Sequence, residues 1–139
     1  MTDSKREETL SFACDCRAED IIFLPCSGGS NCGEIAYRVA VDLDIEKVGR
    51  ISCLAGIAAH IDDMMESAKR AKRIVALDGC DIACAKKTIE HAGLTVTDWI
   101  CVTNEGISKY HDFMMDLDEI ELIAQRTREL LARPAKALS

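Results

Sequence analysis

The stretch RIVALDGCDIACAKKTIEHAGLTV, residues 73–96, decides the fold. Ile74, Val75, Ala76 and Leu77 form a continuous apolar run of the length expected for a strand buried on both faces. Asp78 and Gly79 break it. Asp81 stands where its side chain can cap a helix through the N–H groups of the first turn, and Gly93 serves as the left-handed terminator. Strand, turn and helix make one βα unit. Its turn carries Cys80, with Cys84 about one helical turn further on.

The same unit recurs on either side. Residues 21–24 are a second fully apolar run, closed by Pro25 and followed by Cys26 and the turn Ser27-Gly28-Gly29-Ser30. Asn31, with Glu34 three residues on, resembles a capping box, and Ile35, Val39 and Leu43 fall on one helical face. Residues 48–54 read as a strand ending at Cys53. Ile57, Ile61, Met64 or Met65, and Ala68 then outline one amphipathic helix. Downstream, residues 96–103 read as a fourth strand. Asp116 with Glu119 opens a final helix whose inward stripe includes Leu117, Ile120, Ile123, Ala124, Thr127 and Leu131, with Pro134 after its end. Right-handed crossovers turn this order into an α/β fold, a three-layer sandwich with a mainly parallel, about four-stranded sheet of Rossmann-like or flavodoxin-like type. One domain is expected over residues 18–135, behind a flexible polar arm over residues 1–17 that carries Cys14 and Cys16.

At 139 residues, 48% hydrophobic and 29% charged, the chain can bury one real core. A net charge of −7 argues against nucleic-acid binding, which depends on clustered Lys and Arg. The one basic cluster, Lys69, Arg70, Lys72 and Arg73, falls at a predicted helix end, where the dipole and solvent account for it. No apolar run approaches the ~20 residues that span a bilayer, and the polar start lacks a secretory signal. The expectation is a cytoplasmic protein with no membrane partner. In that reducing compartment, eight cysteines read as metal ligands or redox groups before structural disulfides.

Three of those thiols, Cys26, Cys53 and Cys80, recur at intervals of 27 residues, one βα unit each. Parallel strands bring them to the carboxyl edge of the sheet, where open α/β folds place their ligands. Cys84 joins them from the first turn of the following helix, where a thiolate is favoured. Four thiolates suit tetrahedral Zn²⁺, although the spacing is not that of a zinc ribbon.

The segments PCSGGSNCGEIAYRVAVDL, RISCLAGIAAHI and ALDGCDIACAKKTIEHAGL resemble the DGC-domain family, named for its central Asp-Gly-Cys motif. The resemblance runs from about residue 21 to 109, with CSG, CLAGI, DGC and CAKK in order. It implies zinc as cofactor, chelated by Cys26, Cys53, Cys80 and Cys84, and it supplies no reaction. Cys32 departs from the family pattern, where a small apolar residue is usual, and is a further candidate ligand in place of one of the four.

Two other chemistries compete for the same residues. The loop CSGGSNC resembles the C-x5-R anion cradle of small tyrosine phosphatases and arsenate reductases, but Cys32 stands where the arginine belongs, which argues against phosphoryl transfer. A thiol redox or sulfur-transfer enzyme, with Cys26 attacking and Cys32 or Cys84 resolving, survives this objection and requires a low-pKa Cys26. An iron–sulfur cluster is the remaining alternative. Cys101 reads as a small buried hydrophobe. His60, His91 and His111 read as structural or solvated, Asp78 as a turn residue, and Lys109 as a group closing over the pocket. A small ligand or a protein is the open choice of partner.

Overall fold

The structure, a computed structural model, describes residues 20–134. The predicted arm with Cys14 and Cys16 lies outside the described residues. Four strands, β1 (Ile21–Pro25), β2 (Arg50–Ile51), β3 (Arg73–Asp78) and β4 (Asp98–Cys101), form an all-parallel sheet in the order β2-β1-β3-β4. The expected three-layer α/β architecture is therefore the observed one. Alternate residues of β1 and β3 enter opposite cores, as the two-residue period of a strand requires. Phe23, Val75 and Leu77 pack under α1 (Asn31–Ile45) and the final helix, α5 (Leu117–Leu131). Ile22, Leu24, Ile74 and Ala76 pack on the other side, against Ile57 of α2 (Leu54–Ala58), Ala68 of α3 (Asp62–Arg70) and Ile89 of α4 (Cys84–His91).

Several boundaries differ from the sequence reading, each for a local reason. The second strand shrinks to two residues at the sheet edge, and Cys53 occupies the N-cap position of α2 rather than a strand end. The single helix expected over residues 57–68 is two. His60, with φ of 57°, turns the chain out of α2, and Asp62 and Asp63 then complement the positive end of α3. Asp81 does not cap α4. Ala83 holds the N-cap position with φ of 60° and contributes no side-chain bond, and Asp78 reaches across from the end of β3 instead. Ser30, not Asn31, caps α1, its hydroxyl accepting from the Gly33 N–H at 3.1 Å. The expected stop at Gly93 is present, with φ of 84°.

Candidate functional site

Strand order reverses between β1 and β3. The connection leaving β1 runs to β2 on one side, whereas β3 continues to β4 on the other. The loops leaving β1 and β3 diverge there and leave a crevice at the carboxyl edge, the usual ligand position of such sheets. The crevice is a cavity of about 140 Å³ lined by the thiols Cys26, Cys80 and Cys84, by Lys109, and by the backbone of Gly28 and Gly79.

Cys26 extends the β1–β3 ladder, its N–H donating to the Leu77 carbonyl at 2.9 Å. Its Sγ accepts from the Gly79 N–H at 3.3 Å. Burial pushes this thiol above its ordinary pKa; the N–H groups of Gly79 and Gly28 pull the other way, and Asp78 and Cys84 add to the rise. The low-pKa Cys26 that the thiol-enzyme alternative requires is therefore not what this environment produces. Ser27, directly after it, has φ of 51°, a left-handed conformation that costs a non-glycine residue roughly 1–2 kcal/mol. Ala83 before Cys84 is left-handed too, so strained residues adjoin two of the three cavity thiols.

Cys80 receives the Lys109 ammonium, Nζ to Sγ 3.4 Å, which places Lys109 over the pocket as expected. Lys109 is brought there by Asn31. This buried residue at the start of α1 donates from Nδ2 to the Ser108 carbonyl at 2.9 Å and accepts from the Tyr110 N–H at 2.6 Å. The Asn31 N–H also donates to the Tyr110 carbonyl at 3.0 Å. His111 adds a contact between Nδ1 and the Gly29 carbonyl at 2.9 Å. The sequence reading took Asn31 as a cap and missed this loop-holding role, for which a polar residue set between a cap and a buried helix face was the available signal.

Gly79 and Gly33 permit the close approach that shapes the cavity. A Cβ on Gly79 would stand 2.7 Å from the Gly33 nitrogen, and one on Gly33 would stand 2.5 Å from the Gly28 carbonyl oxygen. The β3 turn, the β1 loop and the first turn of α1 are in backbone contact. Asp78, fully buried, accepts the Ala85 N–H at 2.7 Å, the Lys86 N–H at 3.1 Å and the Trp99 indole N–H at 2.9 Å. It serves the turn and the helix, and it also lines the cavity.

Cys53 is exposed on the far side of Cys26, in a separate cleft that Cys26 also lines. The sheet explains the separation, since β1 lies between β2 and β3 and neighbouring strands are about 4.8 Å apart. Cys32 is buried in the core beneath α1, its thiol donating to the Ser108 carbonyl at 3.6 Å, and burial pushes its pKa up to about 11. It does not line the cavity, although Cys80 and Lys109, which do, lie close enough to act on it electrostatically. Cys101 is buried, as expected of a small hydrophobe. His60 and His91 lie on the surface and do not line the cavity.

The donor set suits zinc in kind, because soft thiolates are its strongest protein ligands. Its location suits a ligand as well. As the side chains stand, however, no three His, Cys, Asp or Glu among the described residues are gathered into a group that could hold a metal ion.

The DGC domain family model matches residues 22–127. The chain is 26% identical over 111 residues to the anaerobic and virulence modulator AnvM of Pseudomonas aeruginosa, covering 80% of this chain and 85% of that one. No solved structure matches. With the Asp78-Gly79-Cys80 turn at the heart of the cavity and the family match running from within β1 through β4 and most of α5, this chain belongs to the DGC domain family.

Proposed function

We propose that the protein is a cytoplasmic zinc-binding module whose thiol cavity takes up the ion through Cys26, Cys80 and Cys84, with Cys53 as the fourth donor. The observation that carries this reading is the convergence of three thiols from two separate chain segments, the β1 loop and the β3–α4 turn, on one cavity at the strand-order switch point. All six cysteines of the described residues are free, so none is diverted into a disulfide. Zinc held by thiolates supplies a tetrahedral cross-link and, where a coordination position stays open, a Lewis acid. The chain's own residues supply the rest. Gly79 and Gly28 donate N–H groups to the Cys26 sulfur, and the Lys109 ammonium offsets the negative charge that thiolates accumulate. Gathering the ligands requires side-chain rotation of Cys84 at the cavity and of Cys53 from the neighbouring cleft, both of them exposed. A relative named as a modulator favours a regulatory role over turnover of a substrate.

Elemental analysis of anaerobically purified protein tests the reading. About one zinc per chain is expected, lost together with thermal stability in Cys80→Ser and Cys84→Ser and retained in Cys101→Ser. Full zinc content in Cys80→Ser would overturn the ligand assignment. Iron and acid-labile sulfide with visible absorption would replace zinc by a cluster.

A further inference from the structure

We propose that the cleft beside the thiol cavity is a binding site for an uncharged, largely apolar small molecule. It opens where β1 and β2 end and encloses about 720 Å³, within the roughly 300–1,000 Å³ typical of small-molecule sites. Pro25, Ile51, Leu54, Ala58 and Met64 supply an apolar wall. The wall is built, not loosely draped: a Cβ at Gly56 would run into the Met64 sulfur, so α2 and α3 are in direct contact beneath it.

Charge decides the class of occupant. Not one residue lining the cleft is Asp, Glu, Lys, Arg or His, in a chain of which 29% is charged. An ionic ligand entering it would shed hydration and find no counter-charge. The polar side chains lining it are the hydroxyls of Ser27, Tyr37, Ser52 and Thr88 and the thiols of Cys26 and Cys53. They suit a ligand with one neutral hydrogen-bonding end. Cys26 faces both spaces, so an occupant of the cleft lies against a thiol that also lines the smaller cavity. The apolar wall and the hydroxyls owe nothing to a metal, whereas zinc would withdraw Cys26 and Cys53 from the cleft, so the Cys53 readout applies to chelator-treated protein.

The neutral apolar dye Nile red, titrated into the full chain, tests it. Saturable fluorescence enhancement at about one dye per chain is expected, with slower alkylation of Cys53 by iodoacetamide when dye is bound. Ala55→Arg puts a guanidinium at an exposed position of the cleft and should weaken the dye at least about tenfold, a change of ~1.4 kcal/mol. Leu117→Arg lies in a different exposed apolar patch, where Leu117 and Met114 are each 74% exposed, and should leave dye binding unchanged. The proposal falls if no saturable binding is seen, or if Leu117→Arg removes it and Ala55→Arg does not. It also falls if Cys53 becomes protected with rising protein concentration in the absence of dye, which would make a second copy the occupant. Zinc content of the same samples, measured separately, keeps failure of the metal reading distinct from failure of this one.

Discussion

Asp78, Gly79 and Cys80 are adjacent residues with three different tasks. Asp78 accepts three N–H groups in a buried position, so Asp78→Ala leaves those donors unpaired. A loss on the order of 3 kcal/mol is expected by denaturant titration. Asp78→Asn should recover only part of it, since its amide turns a donor toward donors. Gly79 cannot carry a side chain without displacing backbone, because its Cβ would stand 2.7 Å from the Gly33 nitrogen and 2.8 Å from the Cys32 carbonyl carbon. Gly79→Ala should cost about 2–3 kcal/mol; an alanine variant as stable as the parent would contradict that packing. Cys32 gives a pH prediction. Its folded pKa of about 11 lies above the ordinary 9.0, so its contribution to stability is complete below pH 9 and is lost as pH rises toward 11. The denaturation midpoint should fall across that window, and Cys32→Ala should flatten the fall, with the slope from Cys26, which is also raised, remaining. An unchanged slope would mean that Cys32 ionises as freely in the folded chain as in the unfolded one.

Among the elements, α5 is held by a residue far from it in sequence. Arg73, at the start of β3, pairs with Asp98 of β4 at 2.7 Å and donates to the Leu131 and Arg133 carbonyls at 3.0 and 2.9 Å. One guanidinium thus joins two strands and satisfies the carboxyl end of a helix. The pair is largely buried, so Arg73→Ala strands the Asp98 carboxylate and should cost roughly 3 kcal/mol or more. Hydrogen exchange should then quicken in the last turn of α5, and Arg73→Lys should not restore it, for lysine lacks the fork that serves several acceptors. If exchange there is unchanged, Arg73 does not hold the helix end. At the other end of the domain, α1 supports the site through Asn31 and the loop carrying Lys109. Asn31→Ala should release that loop and speed alkylation of Cys80. Unaltered Cys80 reactivity would show that Lys109 shields the thiol without help from α1.

In the whole molecule, the cavity lies where the β1 loop, the β3 turn and the start of α4 meet. A zinc ion bound there ties the β1 loop to the β3–α4 turn, which no disulfide joins among the described residues. Added zinc should therefore raise the melting temperature of the chelated protein, by linkage about 4 kcal/mol at a thousandfold excess over Kd. Calorimetry with and without chelator measures it; identical melting curves would deny the ion any structural part. The sequence by itself determined the alternation of strands and helices, the double burial of β1 and β3, and the placement of Cys26, Cys80 and Cys84 near the carboxyl ends of strands. Those properties follow from local periodicity and from turn residues such as Gly79 and Gly93, which act within a few positions. Only the tertiary structure decided which thiols share a cavity. Strand order sets β1 between β2 and β3, which turns Cys53 toward its own cleft and makes Cys26 the wall between two spaces. Helix packing sends Cys32 into the core, and Asn31 brings Lys109 onto Cys80 from 78 residues away. These are contacts between distant parts of the chain, set by the register and packing of elements whose individual patterns say nothing about their neighbours.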